Sequence, residues 1–264
     1  PAEIVLLFDH LPQGRIGQLQ ATGENILRVR AAFLDHQYVL LPVSDSPGMF
    51  EGLISAPMDA ETGHFRLSIL VTYTDNTQEY FARDVRVTQG AFGQYDLALP
   101  GNLLELADPE VSLDEYAILD VYINKLTEGH QWRGLAVPFN TPVSAVFGTY
   151  RHINGSVWQR HTGIDYPRPL DTAVTASAGG RVVYSDVLPI RGNYVLIDHG
   201  SGLFSGYAHL HERRVFSGDV VKQGDIIGTV GNTGRSLGSH LHWEVAIGGV
   251  PVDPLEIVRL LPAE

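Results

Sequence analysis

The stretch His240-Leu241-His242-Trp243-Glu244-Val245-Ala246-Ile247 predicts a β-strand, because apolar and aromatic residues dominate it from Leu241 onward. Side chains on a strand alternate between its two faces, so His240 and His242 lie on the same face. Their imidazole rings can therefore converge on one small volume. Six of the 11 histidines of the chain lie between residues 161 and 242, so the candidate chemistry is concentrated in this half of the sequence.

Two further patterns place metal-binding side chains upstream of this strand. They are His161-Thr162-Gly163-Ile164-Asp165 and Tyr207-Ala208-His209-Leu210. A catalytic zinc ion takes three nitrogen or oxygen ligands from the protein and keeps a fourth position open for water. Two histidines and one aspartate would supply such a set, with the other histidines near the open position. The chain has no cysteine, which excludes disulfides, thiolate zinc sites and a cysteine nucleophile.

The N-terminal part of the chain predicts a β-rich domain of its own. The 264 residues are enough for two domains, each with a separate core, and 28 glycines punctuate short apolar runs. Strand-like runs lie at 4–8, 26–33, 38–41, 67–73 and 80–87. Short strands separated by turn residues are typical of a small immunoglobulin-like β-sandwich, which we expect over residues 1–92.

Residues 93–133 are interpreted as a linker that contains one helix at about 112–127. Ser112 and Glu115 fit a capping box, and Gly129 is a residue type that commonly ends a helix. Apolar residues recur at helical spacing at positions 116, 119, 123 and 126. We therefore expect one apolar helix face, with the acidic residues on the opposite, solvated face.

The remainder, residues 134–264, predicts a second β-rich domain. Strand-like runs lie at 181–184, 194–198, 203–208, 226–230 and 241–247. Asp253-Pro254 then predicts the start of a short C-terminal helix, with aspartate as the N-cap and proline at the first helical position. The fold class that follows is all-β, in two domains.

Charge and hydropathy exclude two classes of partner. The net charge is −12, and residues 1–130 hold 19 acidic and 7 basic residues, against 11 of each in residues 131–264. A nucleic-acid-binding protein would be expected to carry a basic stripe, and none is visible, so we expect no nucleic-acid partner. No apolar run reaches the roughly 18 residues that a membrane-spanning helix needs, so we expect no membrane span.

Residues from about 134 to 256 resemble the M23 zinc metallopeptidases, the lysostaphin-like or LytM-type peptidoglycan endopeptidases. The resemblance covers nearly half of the chain, with the motifs in the order that the family shows. The stretches that carry it include His161-Thr162-Gly163-Ile164-Asp165-Tyr166, Gly192-Asn193-Tyr194-Val195-Leu196-Ile197-Asp198-His199-Gly200, Tyr207-Ala208-His209-Leu210 and Gly238-Ser239-His240-Leu241-His242-Trp243-Glu244.

This resemblance implies a LytM-like antiparallel β domain at 134–264 that binds one zinc ion. His161, Asp165 and His242 would be the zinc ligands, and His209 and His240 the catalytic histidines beside them. The implied reaction is hydrolysis of a peptide bond in a peptidoglycan stem peptide or cross-bridge by a metal-activated water. One of the two catalytic histidines would be the general base, and the other would assist the intermediate or the leaving amine.

The substrate class also implies a location and leaves two alternatives. We expect an extracytoplasmic protein, whether secreted, periplasmic or envelope-associated, with any signal or anchor segment outside this chain. One alternative is a non-catalytic envelope module that binds peptidoglycan or activates a partner hydrolase. Another is a latent enzyme, in which an upstream segment or residues near Asn154 fill the groove. The five intact site positions favour an active enzyme, and no substrate-binding residue or oligomeric state is assigned.

Overall fold

The computed structural model describes residues 1–129, 132 and 134–263, and they divide into two compact units. The first comprises Pro1–Ala91 with Ile247–Val250, and the second comprises Phe92–Ala246 with the chain from Pro251 onward. Strands dominate both units, which confirms the predicted β-rich class. Within the described part of the chain, no helix is long and apolar enough to cross a membrane.

Strands of the first unit join in one continuous hydrogen-bonded path, in the order β1-β3-β6-β5-β4-β7-β8-β2. The strands are β1 (Glu3–Leu6), β2 (Leu11–Pro12), β3 (Ile16–Thr22), β4 (Ile26–Phe33), β5 (His36–Pro42), β6 (Met49–Ser55), β7 (Gly63–Tyr73) and β8 (Gln78–Thr88). The path is continuous because β5 pairs with β4 along most of its length and with β6 through Leu41 and Pro42. An immunoglobulin-like sandwich consists of two separate sheets, whereas these eight strands follow one continuous path. The predicted sandwich therefore stays a prediction.

Elements from residue 92 onward build a larger sheet and a small one. They are β9 (Gln94–Leu97), a 3-10 helix (Gly101–Ala107), α1 (Pro109–Ile123), β10 (Tyr150–Ile153), β11 (Val157–Arg160), β12 (Gly163–Pro167), β13 (Ala173–Thr175), β14 (Gly180–Leu188), β15 (Gly192–Gly200), β16 (Leu203–Arg213), β17 (Val220–Val221), β18 (Ile226–Val230), β19 (His240–Ile247), β20 (Val250–Val252) and α2 (Pro254–Leu260). The main path of the larger sheet is β12-β19-β16-β15-β14-β17, and β11-β10-β9 form the small sheet.

Several predicted elements are confirmed, while others are longer than the sequence indicated. The predicted strands at 26–33 and 226–230 coincide with β4 and β18. The run predicted at 203–208 extends to Arg213. Helix α2 begins as predicted, with the side chain of Asp253 accepting a hydrogen bond from the Leu255 amide at 2.9 Å.

Helix α1 begins and ends earlier than the predicted span of 112–127. Asp108 is the N-cap, because its side chain accepts a hydrogen bond from the Glu110 amide and Pro109 occupies the first helical position. Ser112 lies inside the helix and accepts a hydrogen bond from Gln159 Nε2 at 2.9 Å. The predicted capping box is therefore wrong: a better cap lies four residues upstream.

The buried face of α1 agrees with the expected one at Leu119 and Ile123, but it also includes Glu115. Glu115 and Leu119 are its buried residues, and Leu119 packs in a core with Leu188, Tyr194 and Leu196 of the second unit. The interpretation of the acidic side chains as wholly solvated is wrong for Glu115. Together with the pairing of β9 with β10, this contact makes the described residues from 92 to 129 part of the second unit. The predicted domain limits at 92 and 134 stay predictions.

Glu115 tethers α1 through a buried ion pair. Its Oε1 accepts a hydrogen bond from Arg191 Nη1 at 2.6 Å, and its Oε2 accepts one from the Ile190 amide at 2.7 Å. We expect Glu115→Ala to lower the free energy of unfolding by about 3 kcal/mol, because it removes one partner of a buried pair. Denaturant unfolding of the full chain measures this change.

The matched control is Asp114→Ala, which changes an exposed acid on the same helix. It should shift the free energy of unfolding by less than about 0.5 kcal/mol. Equal stability losses in the two variants would contradict the assigned role of Glu115.

Candidate active site

Three predicted ligand side chains meet at one buried point. His161 Nε2 lies 2.9 Å from Asp165 Oδ1 and 2.9 Å from His242 Nδ1, and the last two atoms are 2.7 Å apart. The pairing of β12 with β19 brings this about, because Asp165 stands directly opposite His242 in the antiparallel register. His161 precedes β12 by two residues and approaches from its N-terminal end. The three positions, 81 residues apart at most, thus form one cluster.

Hydrogen bonds on the far side of each ring select the nitrogen that faces the cluster. His161 Nδ1 donates to the carbonyl of Val146 at 3.0 Å, and His242 Nε2 donates to Glu244 Oε1 at 3.1 Å. Their other nitrogens then carry lone pairs, which point toward the carboxylate of Asp165. Two imidazole nitrogens and one carboxylate oxygen are a donor set that catalytic zinc sites use, so the residues present fit this metal.

Local electrostatics favours the ionisation states that a metal requires at His161 and Asp165. Burial lowers the pKa of His161 to about 4, so this ring is neutral near pH 7. Burial raises the pKa of Asp165, but its close contacts with His161 and His242 outweigh burial and hold that pKa well below its ordinary value. A neutral imidazole and an ionised carboxylate are the forms that coordinate metal ions. At His242, burial lowers the pKa of the ring, but hydrogen bonds to Asp165 and Glu244 outweigh it and raise that pKa.

His209 lies next to the cluster on β16, with an unusual backbone conformation. Its φ is 59°, in the left-handed region that residues other than glycine seldom adopt. The His209 amide donates to the carbonyl of Arg191 at 2.7 Å, and its Nδ1 donates to the carbonyl of Thr233 at 2.8 Å. The His209 ring centroid is 6.0 Å from that of His242. This geometry makes Nε2 the acceptor nitrogen of His209.

His240 faces the cluster from the start of β19. Its Nδ1 donates to the carbonyl of Gly238 at 2.8 Å, and its Nε2 lies 3.8 Å from Asp165 Oδ1. The rings of His240 and His209 have centroids 4.7 Å apart. Burial is the main cause that lowers the pKa of both rings. The structure therefore brings all five predicted site residues together, with two uncharged histidines beside the ligand cluster.

Sequence reasoning missed Glu244, which joins the cluster to a buried cation. Its Oε1 accepts a hydrogen bond from His242 Nε2 and one from Arg191 Nη2 at 2.6 Å, and Thr162 Oγ1 donates to the same oxygen. Its Oε2 accepts bonds from Arg191 Nε at 2.8 Å and from the Tyr194 hydroxyl at 3.0 Å. Glu244 lies two residues after His242, so strand alternation could have placed it on the same face.

Arg151 was missed as well, and no signal in the sequence pointed to it. It lies on β10, and its Nη2 donates a hydrogen bond to Asp165 Oδ2 at 2.7 Å. This is the carboxylate oxygen that does not contact His161. The sequence pattern also predicts that His130 and His152 lie in loops, and one alternative has residues near Asn154 fill the groove. His152 lies on β10 rather than in a loop, and Asn154 accepts a hydrogen bond from the Leu99 amide at 2.9 Å. Asn154 is thus engaged outside the cluster, while His130 falls outside the described residues.

Comparison with known proteins locates this cluster within a family. Residues 159–254 match the model of peptidase family M23. DD-carboxypeptidase/endopeptidase Mpg of Neisseria meningitidis is 42% identical over 122 residues, which are 46% of this chain and 28% of that protein. Peptidoglycan DD-endopeptidase ShyC of Vibrio cholerae is 43% identical over 94 residues, which are 36% of this chain and 22% of that protein. The chain thus spans about a quarter of the length of these curated relatives.

A solved structure shares the fold over nearly the whole chain. It is a crystal structure of a Pseudomonas aeruginosa protein provisionally named peptidase M23, with a TM-score of 0.69 at 22% identity. The match covers 93% of each chain. At this identity the likeness concerns the fold alone.

The ligand cluster makes a prediction about metal content. Each of the variants His161→Ala, Asp165→Ala and His242→Ala should lose stoichiometric zinc, because two remaining ligands hold the ion far more weakly than three. Elemental analysis of the dialysed proteins measures this loss. His64→Ala is the control, since His64 is exposed and bonded to Asp84 in the first unit. Unchanged zinc content in all three variants would contradict the assigned ligands.

Glu244 supports a second prediction, about metal affinity. Glu244→Gln should weaken zinc binding by about 10- to 100-fold, because partners that orient a metal-binding histidine contribute effects of this size. Competition with a chromophoric chelator measures the affinity, and circular dichroism checks that the chain is folded. Glu212→Gln alters an exposed glutamate and should leave the affinity unchanged. Equal affinities in the two variants would show that Glu244 does not orient His242.

Proposed function

Residues 159–254 form a domain of peptidase family M23, and on this basis we propose that the chain is a zinc-dependent endopeptidase that hydrolyses peptide bonds in peptidoglycan. The observation that carries the proposal is the convergence of His161, Asp165 and His242 within hydrogen-bond distance of one another. The names of the Neisseria and Vibrio relatives support peptidoglycan as the substrate. An extracytoplasmic location follows from that substrate and is part of the proposal.

We assign the metal to the three-residue cluster and the proton transfers to the two neighbouring histidines. A zinc ion held there would supply Lewis acidity and would lower the pKa of a water molecule toward about 7. Arg151 holds Asp165 through its outer oxygen, and Glu244 holds His242 through its outer nitrogen. Both ligands are thereby oriented before substrate arrives, which limits the reorganisation that the reaction requires.

His209 and His240 each present an unprotonated Nε2 toward the cluster. Their Nδ1 protons are held by the carbonyls of Thr233 and Gly238, so neither ring can turn its donor nitrogen inward without losing a hydrogen bond. One ring can accept the proton of the attacking water at Nε2 and later deliver it to the leaving amine. The other can hold a bridging water at its Nε2, and that water can donate a hydrogen bond to the charge that develops on the carbonyl oxygen.

We expect His209→Ala to retain zinc and to lose turnover by about 10²- to 10⁴-fold, the usual contribution of a general acid or base. Release of soluble peptides from purified peptidoglycan sacculi measures turnover, and elemental analysis measures the metal. His211→Ala is the matched control, because His211 lies two residues further along β16 and is exposed. Turnover of His209→Ala at the unaltered rate would refute the role of His209. An inactive zinc-loaded parent chain would refute the proposed function itself.

A further inference from the structure

Basic side chains dominate the pocket beside the ligand cluster. His161, His209 and His242 line this pocket together with four arginines, Arg151, Arg160, Arg191 and Arg235. Glu244 is the one carboxylate among the described lining residues. The whole chain carries a net charge of −12, whereas positively charged side chains outnumber negatively charged ones in the lining of the pocket. Such a concentration of cations at the site attracts an anionic group of a ligand.

Two of the four arginines already have their charge accommodated. Arg191 is bonded to both Glu115 and Glu244 through three of its nitrogens. The Arg160 guanidinium lies 3.5 Å from the ring centroid of Tyr150 and 4.3 Å from that of Phe92. These two cations therefore serve the packing of the domain.

Arg151 and Arg235 keep donors that the protein does not use. Arg151 donates Nη2 to Asp165, while its Nε is buried and has no hydrogen-bond partner among the residues that the structure describes. Arg235 donates Nη1 to the carbonyl of Leu106 at 2.8 Å and forms no ion pair with any residue that the structure describes. The other donors of Arg235 have no partner among the residues that the structure describes, and Arg235 lines the pocket, so an acceptor from outside the chain can bind them.

Few negative charges near Arg235 balance its positive charge, as the shift of its pKa indicates. Burial, and then the like charge of Arg151, lower the pKa of Arg235 to about 10. Glu115 opposes this effect through space, but its carboxylate is bonded to Arg191. An anion between Arg235 and Arg151 would relieve the repulsion between the two guanidinium groups. A carboxylate matches their planar N–H groups in shape as well as in charge.

We propose that Arg235, assisted by the positive charge of Arg151, binds a free carboxylate of the peptide substrate beside the scissile bond. This inference rests on the proposed function and narrows its substrate class to peptides that carry such a group. The carboxylate can belong to the C-terminus of the peptide or to an acidic residue within it. Both sources present the same chemistry to Arg235, and amidation of each one separately distinguishes them.

Equilibrium binding tests the proposal without requiring turnover. The probe is a synthetic stem pentapeptide with a free C-terminal carboxylate and a free glutamate carboxylate, compared with two forms in which one of these groups is amidated. Calorimetry on the 264-residue chain carrying His209→Ala measures the dissociation constants. Amidation of the recognised carboxylate should weaken binding at least about tenfold, the effect of losing one charge-assisted pair. Equal binding of all three peptides would overturn the proposal.

Variants of Arg235 assign the effect to this residue. Arg235→Gln, in the same background, should reduce the ratio of the affinities for the acid and amide peptides to about one. Arg235→Lys should retain part of this ratio, because lysine keeps the positive charge but lacks the planar pair of N–H donors that matches a carboxylate. Arg181→Gln is the matched control: Arg181 also donates Nη1 to a backbone carbonyl at 2.8 Å but is exposed outside the pocket. A full preference in Arg235→Gln would overturn the assignment.

Hydrolysis of the same peptides by the zinc-loaded parent chain separates this inference from the proposed function. A carboxylate-dependent affinity without any hydrolysis would leave the carboxylate site standing and count against the enzyme. Hydrolysis of acid and amide forms with equal kcat/KM would count against the carboxylate site and leave the peptidase standing.

Discussion

The pairing of β12 with β19 is the constraint on which the rest of the site depends. In this antiparallel register Asp165 stands opposite His242, so the strand pairing places the two side chains where their ligand atoms lie 2.7 Å apart. A shift of one residue would turn one of these side chains to the other face of the sheet. The same strand carries His240 and Glu244 on the face of His242. One strand therefore supplies a metal ligand (His242), the carboxylate that orients it (Glu244) and a neighbouring catalytic histidine (His240).

Around this pair, hydrogen bonds from outside the cluster decide what each ring can do. Backbone carbonyls of Val146, Thr233 and Gly238 each hold the outer nitrogen of one histidine, and Glu244 holds that of His242. A ring with one nitrogen committed to donation has the other free as an acceptor. The same carboxylate of Glu244 is balanced by Arg191, whose charge also requires Glu115 of α1, so the helix is part of the support of the site.

Charge is distributed unevenly between the surface and the pocket. The chain as a whole is strongly acidic, while arginines outnumber carboxylates among the described residues that line the pocket. Interactions between charges are stronger where side chains exclude water, so these few cations matter more than the larger number of exposed acids. The pocket can therefore select an anionic group although the net charge of the protein disfavours one.

The sequence by itself determined part of the strands, through local spacing, and the residues of the cluster, through the resemblance of their motifs to a known family. Period-two alternation placed His240 and His242 on one face, and apolar runs located β4 and β18 at their observed limits. Only the tertiary structure decided the contacts of Arg151, Glu115 and Arg235, which join positions from 14 to 129 residues apart. Such contacts depend on how far a long side chain reaches across packed elements, and no spacing rule along the chain encodes that distance. The start of α1 was decided in the same way: two capping sequences lie four residues apart, and the one at Asp108 leaves Glu115 free to reach Arg191.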